Sequence, residues 1–147
     1  MDMYTLSLIA SDLLASLRAS SQLGHFFVGI DPERYTFMMT HIMTVLTRSG
    51  EPYDFTHVVA VHKGMFISEA DVVAWFACIE RVLKTYLDDD HLQQTMMDNA
   101  VLCMRAIMGV IPPTLLLENN VVTQIKATLA RMDSVKREEI LTIMSGI

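Results

Sequence analysis

The chain has 147 residues, 52% of them hydrophobic and 19% charged, with a formal net charge of −6. Such a composition excludes a disordered chain and suits one domain with a real core rather than two. The acidic balance and the lack of any basic cluster argue against nucleic acid and anionic membrane surfaces as partners.

The first predicted helix covers about residues 4–21, with Leu6, Ile9, Leu13, Leu14 and Leu17 on one side. A loop with Gly24, Phe26, Phe27 and Gly29 follows. Asp31 and Pro32 then start a second helix, the first as a capping side chain and the second as a first-turn proline. That helix, to about Thr47, places Tyr35, Met38, Met39, Ile42, Met43 and Leu46 on one face at helical spacing, and Thr36, Thr40, Thr44 and Thr47 on the other. After a loop at residues 48–52, a short apolar helix from about Thr56 carries His62 just before Gly64 stops it.

Ser68 and Asp71 form a capping pair for a helix through Tyr86, with Val72, Trp75, Phe76, Ile79, Val82 and Leu83 in its apolar stripe. Three aspartates, residues 88–90, precede a helix to about Ile111, with Asp90 as the expected cap. Pro112 and Pro113 divide the chain into a body, 1–111, and an extension, 112–147. In the extension, Val121, Ile125, Leu129, Met132, Ile140, Leu141 and Met144 predict further helices packed on the same domain. No window alternates with period two, so the fold class predicted is all-α.

No apolar stretch approaches the about 20 residues that span a bilayer. The N-terminal sequence lacks the basic segment and cleavage site of a secretory signal, so a cytoplasmic location is expected. Cys78 and Cys103 form neither a CxxC pair nor a haem-attachment motif and read as buried thiols.

Methionine stands out at 12 positions, either as a pliable core filler or as a soft metal ligand. Of the five histidines, His41 falls on the polar face of the second helix, and His25, His57 and His91 have no partners at metal-ligand spacing. His62 ends an apolar helix beside a glycine break. Taken alone it reads as a histidine capping a helix end. With Phe26 and Phe27 before the second helix, and with Tyr35, Met38, Met39 and Ile42 on one face of it, His62 completes a flat apolar slot with one nitrogen ligand. Haem iron is held in that way.

From about residue 12 to residue 102 the chain resembles a group I truncated haemoglobin, the 2-over-2 helical globin. The residues that carry the resemblance are Asp12-Leu13-Leu14, Gln22-Leu23-x-x-Phe26-Phe27-x-Gly29, Pro52-Tyr53, and His62-x-Gly64-x-x-Ile67-Ser68. It implies a globin-like 2-over-2 sandwich, with the C-terminal helices as an addition, that binds haem b non-covalently. His62 becomes the proximal iron ligand and Phe27, with Phe26 beside it, stacks on the ring. Leu14, Tyr35, Met38, Met39, Ile42 and Met43 line the distal side, and Val58, Phe66, Ile67 and Trp75 pack near the ring. Lys63 and Arg34 are candidates to neutralise the propionates.

The chain departs from the family on the distal side. Leu14 stands where the family has a tyrosine, and Tyr35 and Met39 stand at its usual glutamine positions. A bound O2 then has no donor unless the Tyr35 hydroxyl turns inward. Met38 or Met39 could instead supply a thioether sixth ligand, giving His/Met coordination; the competing reading is that both are core filler.

The resemblance implies binding of O2, NO or CO, NO detoxification with an external reductase, or electron transfer. A second reading is a haem-free globin-like sensor or protein-interaction domain, with the C-terminal helices making protein contacts. A helical adaptor without haem is a third, and it leaves the register of His62 with Phe26 and Phe27 unexplained.

Overall fold

The computed structural model describes residues 1–117. The helices expected from Val121 onward lie outside the described residues. Five α-helices and one pair of short strands make up the described chain.

Helix α1, Met3–Ala19, begins where the Asp2 carboxylate accepts the Thr5 N–H at 2.7 Å. That bond satisfies one of the N–H groups a helix start leaves without a partner. After a single 3-10 turn, Gly24–Phe27, helix α2 runs over Pro32–Leu46, capped by Asp31 through the Glu33 N–H. Gly24 is required here, because a Cβ at that position would come within 2.8 Å of the Arg18 carbonyl oxygen.

Strand β1, Glu51–Asp54, leads into the short helix α3, Thr56–His62. Helix α4, Glu69–Tyr86, opens with a complete capping box: Ser68 accepts from the Asp71 N–H, and Asp71 accepts from the Ser68 N–H. Helix α5, Asp90–Ile107, is capped by Asp89 rather than Asp90. The third aspartate is thus the first helical residue, where its charge favours the helix dipole.

Helices α1 and α2 are antiparallel neighbours. Thr44 near the end of α2 reaches Met3 at the start of α1, and the Arg18 guanidinium near the end of α1 donates to the Ile30 carbonyl just before α2. Leu6, Ile9, Leu13 and Leu17 of α1 meet Met43 and Leu46 of α2, Ile79, Val82 and Leu83 of α4, and Met96 and Ala100 of α5 in one buried cluster. Burying an aliphatic side chain fully contributes about 1.5–3 kcal/mol, so this cluster holds the four long helices together.

A smaller cluster, of Val45, Phe55, Leu102, Cys103, Ala106, Leu115 and Leu117, anchors α3 through the half-buried Val58 and Val59. Between α2 and α5, the wholly buried Asn99 donates from Nδ2 to the Leu46 and Arg48 carbonyls at 2.8 and 2.7 Å. Those carbonyls lie at the end of α2, where the helix supplies no donors of its own.

The described chain is mostly helical, as expected, with one addition. Thr114–Leu117 forms strand β2, antiparallel to β1 with Glu51 opposite Leu117 and Asp54 opposite Thr114. Residues 114–117, assigned from sequence to the extension, therefore pair with the body. Four residues that include a proline and two acids show no alternation, and their partner lies about 60 positions away, so period-two reading had nothing to detect.

Candidate functional site

His62 is the last residue of α3, half-buried, and its Nδ1 lies 2.7 Å from the Val58 carbonyl one turn earlier. A carbonyl oxygen can only accept, so Nδ1 carries the proton. In that neutral tautomer Nε2 bears the ring's lone pair. This is the arrangement in which a backbone carbonyl fixes the tautomer and orientation of a metal-ligating imidazole. Its local cause is the apolar turn: Val58 and Val59 pack into the smaller cluster and fix the carbonyl that receives the ring.

Gly64, at φ 84°, turns the chain immediately afterwards. Phe66 also sits in the left-handed region, at φ 54°, with 94% of its surface exposed. An L-residue there costs roughly 1–2 kcal/mol.

On the helical body, Phe26, Phe27, Tyr35, Met39, Ile42 and Trp75 are all half-buried against the main cluster. They form an apolar, largely aromatic surface. The Tyr35 ring stands edge-on to Phe27, with centroids 5.8 Å apart and planes at 88°, a preferred aromatic geometry. Trp75 makes a similar contact with Phe76 at 5.2 Å.

Burial pushes the Tyr35 phenol well above the ordinary tyrosine range, and its hydroxyl has no hydrogen-bond partner among the described residues. The group is therefore a proton-bearing donor held in an apolar setting. The loop carrying Phe26 and Phe27 is tied down by Gln22, whose Nε2 donates to the Asp71 carboxylate at 2.6 Å. The Ser68 N–H and Gln22 together hold that carboxylate below its usual range. A capping box legible in the sequence thus also fixes the aromatic loop, a link that spacing alone could not reveal.

The remaining candidates separate from this set. Leu14 is buried in α1, and Met43 is wholly buried as core. Met38 turns 43% of its surface to solvent, whereas Met39 stays on the half-buried face with Tyr35. Val58 faces the smaller cluster, and Ile67 is half-buried in the loop before α4. Lys63 and Arg34 are exposed, as are His25, His41, His57 and His91.

Both cysteines are free thiols. Cys103 is buried and its thiol is pushed up to about 12 by desolvation. No group of three or more His, Cys, Asp or Glu side chains among the described residues is placed to hold a metal ion. His62 sits on α3, which packs through Val58 and Val59 on the smaller cluster, whereas Phe26, Phe27, Tyr35, Met39, Ile42 and Trp75 pack on the main cluster. No described helix is long and apolar enough to cross a membrane. Comparison with known proteins finds no family model, no curated protein and no solved structure that matches the chain.

Proposed function

We propose that this chain binds haem b and, through it, diatomic gases, in the manner of the truncated haemoglobins that its motifs resemble. The observation that supports the reading is the His62 Nδ1 donating to the Val58 carbonyl, a bond that fixes the ring and would leave Nε2 to serve as a ligand. The half-buried surface of Phe26, Phe27, Tyr35, Met39, Ile42 and Trp75 suits the faces of a flat apolar macrocycle. In this reading the four long helices form the 2-over-2 sandwich.

When bound, haem supplies an iron with an open position for O2, NO or CO and one-electron redox chemistry. The chain's own residues do the rest. His62 holds the iron and Val58 fixes the imidazole. The aromatic and aliphatic side chains exclude water, which strengthens every electrostatic contact inside the site. Tyr35 offers the distal side a hydrogen-bond donor, which favours ligands that carry partial negative charge. Met39 packs against the main cluster and Met38 is exposed, so this reading would assign neither sulfur to the iron.

Titration of the purified protein with haem tests this. The expected result is a Soret band that saturates at one haem per chain at micromolar concentration and is lost in His62→Ala. The ferrous spectrum is expected to be five-coordinate and unchanged in Met38→Ala and Met39→Ala. Absence of uptake refutes the reading, and a low-spin ferrous spectrum that turns high-spin in Met39→Ala makes Met39 the sixth ligand instead.

A further inference from the structure

Helix α2 has a second face, turned away from the aromatic set. At about 100° per residue, Glu33, Thr40, His41 and Thr44 lie within about 60° of Phe37, whereas Tyr35 lies about 160° around. Along this face α1 and α2 enclose a groove of about 770 Å³ lined by small side chains, Ser7 and Ser11 from α1 with Thr36, Thr40 and Thr44 from α2. Three of these hydroxyls are bonded within their own helices: Ser7 donates to the Tyr4 carbonyl, Thr40 to that of Thr36 and Thr44 to that of Thr40. An apolar group can therefore enter without leaving them unpaired. Phe37 stands beside the groove with 80% of its surface exposed, and Glu33 and His41, both exposed, flank it.

Protruding ring and small-residue groove lie on one surface, so a second copy related by a twofold axis beside Phe37 offers each ring the other's groove. With the two α2 helices antiparallel across that axis, residues equally spaced before and after Phe37 face each other. Glu33, four residues before, meets His41, four residues after, at both ends of the contact. The same spacing sets Arg34 against Thr40, so no like charges meet along this stretch. The His41 Nε2 lies 3.4 Å from the Tyr53 hydroxyl. With Nε2 accepting from that hydroxyl, the ring keeps its N–H on Nδ1, a donor for a carboxylate. A parallel pairing sets Glu33 against Glu33 instead. The antiparallel one also brings the positive end of each α2 toward the negative end of the other. Both halves of the fit, ring with groove and carboxylate with imidazole, are thus carried by this one surface, which is what an isologous contact needs.

We propose that this face is the interface of a twofold dimer of the chain, with α2 antiparallel to its counterpart, each Phe37 ring seated in the other copy's groove and each Glu33 paired with the other copy's His41. The proposal stands apart from the haem reading, since it uses the opposite side of α2 and needs no cofactor.

Sedimentation equilibrium on the full chain, at protein concentrations a hundredfold apart, tests it. A monomer–dimer equilibrium is expected. Phe37→Asp, a change at an exposed position, is expected to weaken the dimer at least a hundredfold while the thermal melt of the monomer holds. Glu33→Lys and His41→Glu are each expected to weaken it at least fivefold, and the two changes in one chain to restore it to within twofold. Register is read by oxidation: a mixture of Glu33→Cys and His41→Cys chains is expected to form a 33–41 link between copies, identified by peptide mapping, and Glu33→Cys alone no 33–33 link. A chain that stays monomeric throughout overturns the proposal, because the groove is then filled within one copy or by a different partner. A dimer that ignores Phe37→Asp, a double variant no stronger than the single ones, or a 33–33 link overturns it equally.

Discussion

The four-helix body and the short arm that carries His62 are built on different principles. In the body, α1 alone buries Leu6, Ile9, Leu13 and Leu17 into a cluster shared with α2, α4 and α5. The arm, β1 with α3 and the loop to Ser68, has one wholly buried side chain, Phe55, while α3 itself has none, and Phe66 stands in a strained conformation in solvent. The body is a packed core that carries half-buried apolar side chains on its surface. The arm places one imidazole, oriented by a carbonyl one turn away and anchored through Phe55, Val58 and Val59. The division teaches that the orientation of an imidazole can be set by a local hydrogen bond and a small core, without a long helix.

The largest effects separate the two regions. Phe55→Ala is expected to cost about 3–5 kcal/mol and, by loosening α3, to weaken haem binding. Ile9→Ala, in the body core, is expected to cost about 2–5 kcal/mol of global stability while the Soret band of the folded fraction keeps its position. Denaturant melts with haem titration of each variant check both. Equal losses of haem affinity per kcal/mol lost contradict the division.

A pH effect comes next, from the buried Cys103 of the smaller cluster. Its thiol is raised to about 12 in the folded chain, above the unfolded value of 9.0, so the unfolded state releases its proton first. Stability is therefore fully present below about pH 9 and falls by about 1.4 kcal/mol per unit as pH rises toward 12. The raised Tyr35 phenol adds in the same direction at the alkaline end. Urea midpoints across pH 7–11 check the trend, and Cys103→Ala is expected to flatten its first part.

The smallest effect is the most specific. Tyr35→Phe removes a hydroxyl that has no partner among the described residues, so stability of the free protein is expected to hold or rise slightly. The rate of O2 release is expected to rise by about 1–2 kcal/mol in equivalent terms, roughly five- to thirtyfold. Stopped-flow displacement measures it, and an unchanged rate assigns Tyr35 to packing alone.

Most of the helices were legible because capping chemistry and apolar period act locally. Asp31 with Pro32 opened α2 and Ser68 with Asp71 opened α4 where expected, and α3 ran from Thr56 to His62 as read. The strand pair was not legible, because its signal is a distant partner and not a pattern. The burial of the candidate site residues was only partly legible. Period alone put Met38, Met39 and Met43 on one face, whereas packing sorts them into edge, surface and core, since α1 and α5 decide which flank of α2 is covered. The carbonyl that orients His62 follows from the four-residue turn before it, but the ring's turn onto it is set by the folded packing of α3 and leaves no mark in the spacing.

In the proposed haem complex the His62 Nε2 would hold the iron. Resonance Raman spectroscopy of the ferrous, haem-loaded protein tests it most directly. An iron–imidazole stretching band is expected in the wild type, lost in His62→Gly and restored when free imidazole is added to that variant. A wild-type protein without the band, or a His62→Gly variant that keeps it, would overturn the assignment of His62 as the iron ligand.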